Sequence, residues 1–568
     1  MKKTLVFALG TLLTFFLTAN HTANGCTNFL ISSGASADGS VMITYAADSH
    51  VLYGELYFRP AKDYPDGTML DIYEWDTGKY LGKIKQVRHT YTVIGNMNEH
   101  QVAIGETTYG GRSELRDTTG IIDYGSLMYI TLQRAKTARE AIKTIAELLN
   151  EYGYYSSGES FSISDPHEAW IMEMIGKGER NTGAVWVARR VPDGYICGHA
   201  NQARITTFPL ENDKTSISSK HLDKIFDPVI TTVYAADVID VARKHKFFKG
   251  KNKDFSFADA YAPLDFGAAR FCEARVWSGF NKVTSGMEKY LPYAMGEDFS
   301  VRMPLWVKPD TKLTVHDVME MMRDHYENTP MDMTKDLGAG PFACGVRWRP
   351  LTWNVDGRTY FNERAISTQQ TGFSFIAQSR KWLKDPIGGI FWFGVDDTYS
   401  TVYTPMYCGI TDIPWPFAEG NGSMMEFSDE SAFWIFNQVS NFAYTRYNVI
   451  MKDIQKLQSG LETSFINEVP AIDKAASSLY EKDPNLARTF LTNYSVSQGN
   501  RTFEAWKKLY AFLFTKYMDG NIKEPAPVPE GYIYHNPKLS QPGYGEEWYR
   551  KIVKETGDKF LYKGHTGH

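Results

Sequence analysis

Residues 26–45 constrain this chain more than any other stretch. Cys26-Thr27-Asn28-Phe29-Leu30-Ile31-Ser32 and Val41-Met42-Ile43-Thr44-Tyr45 are two strand-like runs, and the segment between them turns through Ala37-Asp38-Gly39-Ser40. Paired runs around an Asp-Gly turn predict a β-hairpin. A cysteine at the start of such a strand is held on a rigid element, where a thiol can be aimed.

The residues before Cys26 give that position a second meaning. Lys2 and Lys3 form a short basic segment, Leu5 to Leu17 an apolar one, and Ala23-Asn24-Gly25 a small-x-small cleavage signal. This is the pattern of a bacterial secretory signal peptide over residues 1–25. Cleavage after Gly25 would make Cys26 the first mature residue, carrying both a thiol and a free α-amino group. The apolar run is too short for a transmembrane span, and no later stretch is long and apolar enough. The expected product is therefore exported, periplasmic or secreted. Losing Lys2 and Lys3 moves the formal charge from −5 to −7. That mild acidity, with no Lys/Arg block, argues against a nucleic-acid partner.

The five cysteines, Cys26, Cys197, Cys272, Cys344 and Cys408, show no CxxC spacing. In an exported chain an odd count leaves at least one thiol unpaired, and Cys26 is the natural candidate. The other four read as buried thiols or as one or two disulfides.

Further strand-like runs occur at residues 86–94, 101–107, 161–163, 169–174 and 184–191. Helical spacing marks residues 126–135, and Thr137-Ala138-Arg139-Glu140 resembles a capping box for a helix through Leu149. A similar box, Thr314-Val315-His316-Asp317, precedes Val318, Met321 and Met322. Residues 388–395 and 401–408 read as a hairpin around Asp396-Asp397-Thr398-Tyr399. This mixture predicts one α+β unit over residues 26–415. After Pro414, Pro416 and Gly420-Asn421-Gly422 the pattern changes. Phe433, Phe436, Phe442, Val449, Ile450, Ile454 and Leu457 recur at helical spacing before Gly460, Asp483-Pro484 opens another helix, and residues 503–517 form a third. Residues 416–568 are expected to form a helical C-terminal extension packed on the sheet unit.

Three chemistries suit Cys26: a buried structural thiol, a lipid anchor on a non-catalytic binding protein, or a nucleophile. A thiol of pKa about 8.5 is mostly protonated at neutral pH, whereas an α-amino group at about 7.7–8.0 is partly neutral. A mature N-terminal cysteine thus holds nucleophile and general base in one residue. The 13 histidines include no HExxH, and His167-Glu168 and His199 lack metal-ligand spacing. No dinucleotide or phosphate-binding loop stands out, so no cofactor is expected.

Motifs along the chain then narrow the choice. They include Gly34-Ala35-Ser36-Ala37-Asp38-Gly39-Ser40 after Cys26-Thr27, then Asp48-Ser49, Asn98-Glu99 and Gly105-Glu106-Thr107-Thr108-Tyr109-Gly110-Gly111-Arg112. Ile122-Asp123-Tyr124-Gly125-Ser126, Ala169-Trp170-Ile171-Met172-Glu173, His199-Ala200-Asn201-Gln202-Ala203-Arg204, Arg275-Val276-Trp277 and Gly388-Gly389-Ile390-Phe391-Trp392 follow in order. Together they resemble the N-terminal nucleophile (Ntn) hydrolases, specifically the PepD-like secreted dipeptidases, through most of residues 26–415. The resemblance implies an αββα sandwich and cofactor-free hydrolysis of small dipeptides through a thioester on Cys26. It also implies that Asp48 holds the α-amine, that Asn201 and a backbone N–H near Thr108 form the oxyanion hole, and that Arg275 is the distal arginine, with Arg270 competing. Related acylases carry Arg three residues before the downstream Asp; here Tyr45 stands there, a neutral phenol that cannot do a guanidinium's work. Glu106, Arg112 and Glu159 are candidate charged contacts for the substrate. The alternative within the superfamily is an amidase for N-acyl amino acids or bile salts, and either enzyme is compatible with a homo-oligomer.

Overall fold

The computed structural model describes residues 25–212, 214–533 and 536–564. The signal-peptide reading falls on residues 1–24, outside the described residues, with Gly25 as its last residue inside them.

The hairpin at the start of the described chain forms the centre of a sheet. Gly25–Ile31 and Val41–Asp48 pair antiparallel, and every residue of both strands is buried. That explains why the runs are apolar throughout instead of alternating: a strand covered on both faces has no solvent side. Seven strands make this sheet, in the order Trp306–Val307, Ile196–His199, Gly25–Ile31, Val41–Asp48, Thr371–Ser379, Gly389–Val395 and Thr404–Tyr407. Each neighbouring pair is antiparallel.

A nine-stranded sheet lies against it. Its middle strands are Ala184–Arg190, Ala169–Gly176, Gly158–Ser164 and Ala103–Tyr109, again antiparallel. His199 joins the two sheets: from the first it meets Thr107 Oγ1 and Ser162 Oγ of the second, both at 2.8 Å. Helices Tyr124–Leu132 and Ala138–Tyr152 cover the outer face of the nine-stranded sheet. Helices Ala274–Val283, Val315–Met322, Ala432–Ala443, Tyr447–Tyr480 and Pro484–Tyr517 lie on the seven-stranded one. The architecture is a four-layer αββα sandwich, an α+β fold. No helix among the described residues is long and apolar enough to cross a membrane.

Local signals decide most helix starts. Asp123 and Thr137 accept from the backbone N–H of Ser126 and Glu140. Thr314 and Asp317 form the full reciprocal box. At Thr137 the box is incomplete, because the Glu140 carboxylate reaches the Lys136 N–H instead.

Three expectations need correction. The strand expected over residues 86–94 is broken into His89–Thr90 and Val93–Ile94, which pair with different partners. Gly460 does not end its helix, which runs on through Pro470 to Tyr480. Residues 503–517 are not a separate helix but the end of Pro484–Tyr517. Both long helices exceed what local propensity marks because they pack along one another, and tertiary burial outweighs about 1 kcal/mol for a helical glycine. All five cysteines are free among the described residues, so of the two readings left open for Cys197, Cys272, Cys344 and Cys408 the structure favours unpaired thiols.

Candidate active site

Cys26 sits where the two sheets and the helix Ala274–Val283 converge, with 7% of its surface exposed. Register decides what surrounds it. Cys26 pairs with Ala47 and Gly25 with Asp48, so strand alternation puts Tyr45 on the face of the Cys26 side chain and Asp48 on the other. The Cys26 thiol lies 3.7 Å from both the Tyr45 hydroxyl and Glu106 Oε1, and the Tyr45 hydroxyl donates to Glu106. Glu106 comes from the nine-stranded sheet, so this face looks into the sandwich.

The backbone of Cys26 is held from the other side. Its N–H donates to Asn201 Oδ1 at 3.0 Å. Arg275 is fully buried and donates to Cys26 O at 2.7 Å, Thr27 Oγ1 at 2.8 Å and Asn201 Oδ1 at 2.8 Å. A π-helical turn, Ala269–Glu273, leads into the arginine's helix, and Arg275 Nε donates to Phe271 O at 2.8 Å. Such turns often sit at functional sites. Arg270, the competing arginine, is engaged elsewhere in an ion pair with Glu363.

Asn201 follows the strand Ile196–His199 with a left-handed backbone, φ 57°. A buried network pins its loop. Glu173 accepts from Ile205 N at 2.9 Å, while Arg204 pairs with Glu273 at 2.9 Å and donates to Gly198 O at 2.8 Å. Asn201 Nδ2 donates to Thr108 O at 2.6 Å, leaving one of its two N–H hydrogens uncommitted in that bond. Thr108 thus meets Asn201 through its carbonyl, and its hydroxyl donates to Glu159 Oε2 at 3.0 Å.

Asp48 is buried inside a strand, not at a turn. Its Oδ1 accepts from Thr371 Oγ1 at 2.7 Å, and Oδ2 has no hydrogen-bond partner among the described residues. Burial pushes its carboxyl up to about 7, although Arg364, Arg275 and Arg349 pull the other way. The Arg364 guanidinium fills the space in which a side chain at position 25 would lie, so any larger residue there would have to displace it. Burial, followed by repulsion from Arg275, brings Arg364 down to about 10.

The thiol itself is not preformed as a thiolate. Burial pushes Cys26 well above an ordinary thiol, and the Glu106 and Asp48 charges push the same way. To act as a nucleophile, a thiol placed so would need a base.

The structure therefore brings together Cys26, Asp48, Thr108, Asn201 and Arg275. Of the charged contacts singled out from sequence, Glu106 lies beside the thiol and Glu159 accepts from Thr108, whereas Arg112 stacks on Phe247 and donates to Ala260 O at 3.0 Å. Sequence reasoning missed the contribution of Tyr45 to this face, and Arg349 and Arg364 altogether. A carboxylate in the middle of a strand-like run, as in Ile104-Gly105-Glu106 and Gly158-Glu159-Ser160, marks Glu106 and Glu159 in the sequence, since burying such a group is costly without a purpose; Tyr45, Arg349 and Arg364 carry no comparable local signal.

Comparison with known proteins adds a separate line. The pattern of peptidase family C69 matches residues 55–460, beginning downstream of Cys26. A probable dipeptidase of Latilactobacillus sakei is 22% identical over 514 residues, 87% of this chain and 95% of its own length. A probable dipeptidase B of Lactococcus lactis subsp. lactis is 22% identical over 447 residues, 76% of this chain and 84% of its own. A probable dipeptidase of Salmonella dublin is 24% identical over 433 residues, 72% of this chain and 86% of its own.

Proposed function

This chain belongs to peptidase family C69, and from that membership and the geometry around Cys26 we propose that it is a dipeptidase working through a thioester on that residue. Relatives covering 72–87% of the chain carry the name probable dipeptidase, which supports the substrate class. One observation carries the chemistry: the main chain of Cys26 is clamped by Asn201 and Arg275 while its thiol projects into the sandwich.

In this reading, export removes residues 1–25 and turns the Cys26 amide into an amine. The amine would stay within reach of Asn201 Oδ1, which already accepts from that nitrogen. Asp48 Oδ2, buried with no partner among the described residues, would receive a second amine hydrogen. The neutral amine takes the thiol proton as Sγ attacks the scissile carbonyl, and then delivers that proton to the departing amino group. The free N–H of Asn201 Nδ2 would meet the developing oxyanion, a contact typically worth about 3–4 kcal/mol in the transition state. Thr108 O orients the amide for this. Water then cleaves the thioester. Arg275, with donors spent on Cys26, Thr27 and Asn201, positions these groups.

The test is to prepare the protein starting at Cys26 and to confirm that start by intact mass. Dipeptide hydrolysis should fall by at least 1,000-fold in Cys26→Ala and in a form with one extra residue ahead of Cys26, whose base has become an amide. Undiminished turnover in either would remove the proposed nucleophile or its base. Diacylglycerol on Cys26 in the exported protein would also overturn the reading.

A further inference from the structure

Beside the proposed nucleophile lies a pair of carboxyl groups that the attack does not use. Glu106 Oε1 is 3.7 Å from Cys26 Sγ and accepts from Tyr45, and Glu159 stands across the register from Thr108 on the neighbouring strand. Both are at most 2% exposed. Glu106 Oε2 and Glu159 Oε1 receive no hydrogen bond from any other described group. The Glu106 charge acts on Glu159, and the Asp76 charge acts on both, each of them negative. Two carboxylates in such contact cannot both ionise in a buried site. Burial and the Glu106 charge hold Glu159 well above the usual carboxylate range, so Glu159 is the member of the pair that keeps a proton.

We propose that Glu106, backed by Glu159, receives the free α-ammonium group of the residue whose carbonyl Cys26 attacks. This rests on Cys26 as nucleophile and deepens the dipeptidase reading by assigning one end of the substrate. The distances fit. In a peptide the α-nitrogen and its own carbonyl carbon are separated by two bonds, about 2.5 Å. An ammonium at about 2.8 Å from Glu106 Oε1 can therefore leave that carbon at about 3–3.5 Å from a sulfur lying 3.7 Å from the same oxygen. The ammonium supplies a positive charge to a pair that stands beside the negative charge of Asp76. Access is marked by the same charge: Tyr124 donates to the exposed Asp76 at 2.8 Å, and both Glu106 and Glu159 act on Tyr124. An N-acylated substrate has no cation to offer and turns a carbonyl oxygen toward a carboxylate.

The experiment compares alanyl-alanine with N-acetyl-alanyl-alanine on the mature enzyme and on Glu106→Gln and Glu159→Gln. The wild type should prefer the free amine by at least 100-fold in kcat/KM. Glu106→Gln should raise KM for alanyl-alanine at least tenfold and shrink that preference at least tenfold, and Glu159→Gln should do the same less strongly. Calorimetric binding of alanyl-alanine to Cys26→Ala should be lost in the Cys26→Ala/Glu106→Gln double variant. A glutamine variant that keeps the wild-type preference, or loses kcat alone at unchanged KM, overturns the assignment; should Glu106→Gln not fold, the Glu159→Gln preference ratio decides. A wild type that cleaves no dipeptide, or a Cys26→Ala that still does, fails the underlying reading instead.

Discussion

Asn201 is asked to do three things at once: accept from the Cys26 nitrogen, accept from Arg275 and donate to Thr108. It does them from a left-handed backbone, φ 57°, which asparagine tolerates better than most residues but which still costs on the order of 1 kcal/mol. Asn201→Gly relieves the backbone and removes the side chain, so it separates the two roles. Its kcat for dipeptides should drop about 100- to 1,000-fold while its urea midpoint stays near wild type. Asn201→Ala should lose the same rate and some stability as well. A rate within threefold of wild type in both variants would dismiss the side chain from the chemistry. Asn201 and Asp48 were singled out in the sequence through the resemblance to the Ntn hydrolases, Asp48 one hairpin after Cys26 and Asn201 at the end of a strand-like run. Arg364 was not, since it reaches the Gly25 position only once a distant loop folds over the strand edge, and Glu106, read from sequence only as a possible charged contact, meets the thiol only once two sheets stack. No local spacing encodes that stacking.

At the scale of elements, the sandwich is tied at its centre by His199. The ring lies between Thr107 and Ser162 of the facing sheet, and burial pulls its pKa down to about 3. An unfolded chain takes up this proton near pH 6.5, whereas the folded protein refuses it until about pH 3. Stability from neutral His199 is thus fully present above about pH 6.5 and is lost as pH falls toward 3. At about 1.4 kcal/mol per unit, the loss between pH 7 and pH 5 is about 2 kcal/mol. His199→Gln keeps a polar side chain there and does not titrate. Urea unfolding at pH 7, 6 and 5 should show the wild type losing about 2 kcal/mol more than the variant, and equal slopes would refute the account. Strand existence was the readable part of these elements, because continuous apolar runs mark a sheet covered on both faces. Helix length was less readable: Gly460 looks like a stop, yet its added Cβ would meet nothing within 4 Å, so it is an indifferent position on a helix held by its partner.

For the whole molecule the question is whether residues after 415 behave as an appendage or as the fourth layer. The long helices reach into the sheet region through buried polar contacts. Glu462 pairs with Arg323 at 2.6 Å, and Asp473 accepts from Arg380 Nη2 at 3.1 Å and from Tyr407 at 2.8 Å. Gln458 donates to Thr401 O at 2.6 Å, and Ser495 accepts from Tyr407 N at 3.2 Å. The apolar faces on both sides belong to one core that includes Trp506 and Trp392. The change of pattern near Pro414 therefore reads as the seam between layers, and the family C69 match running to residue 460 crosses it. A molecule built this way should unfold in one step: circular dichroism, tryptophan fluorescence and dipeptidase activity should be lost at the same temperature. Asp473→Ala strands the buried Arg380 guanidinium without its carboxylate, a change that costs about 3–5 kcal/mol. It should lower that single transition without splitting it, because the unpaired charge penalises sheet and helices together. If it melts the helices first and leaves active enzyme behind, residues 416–568 are an independent extension after all.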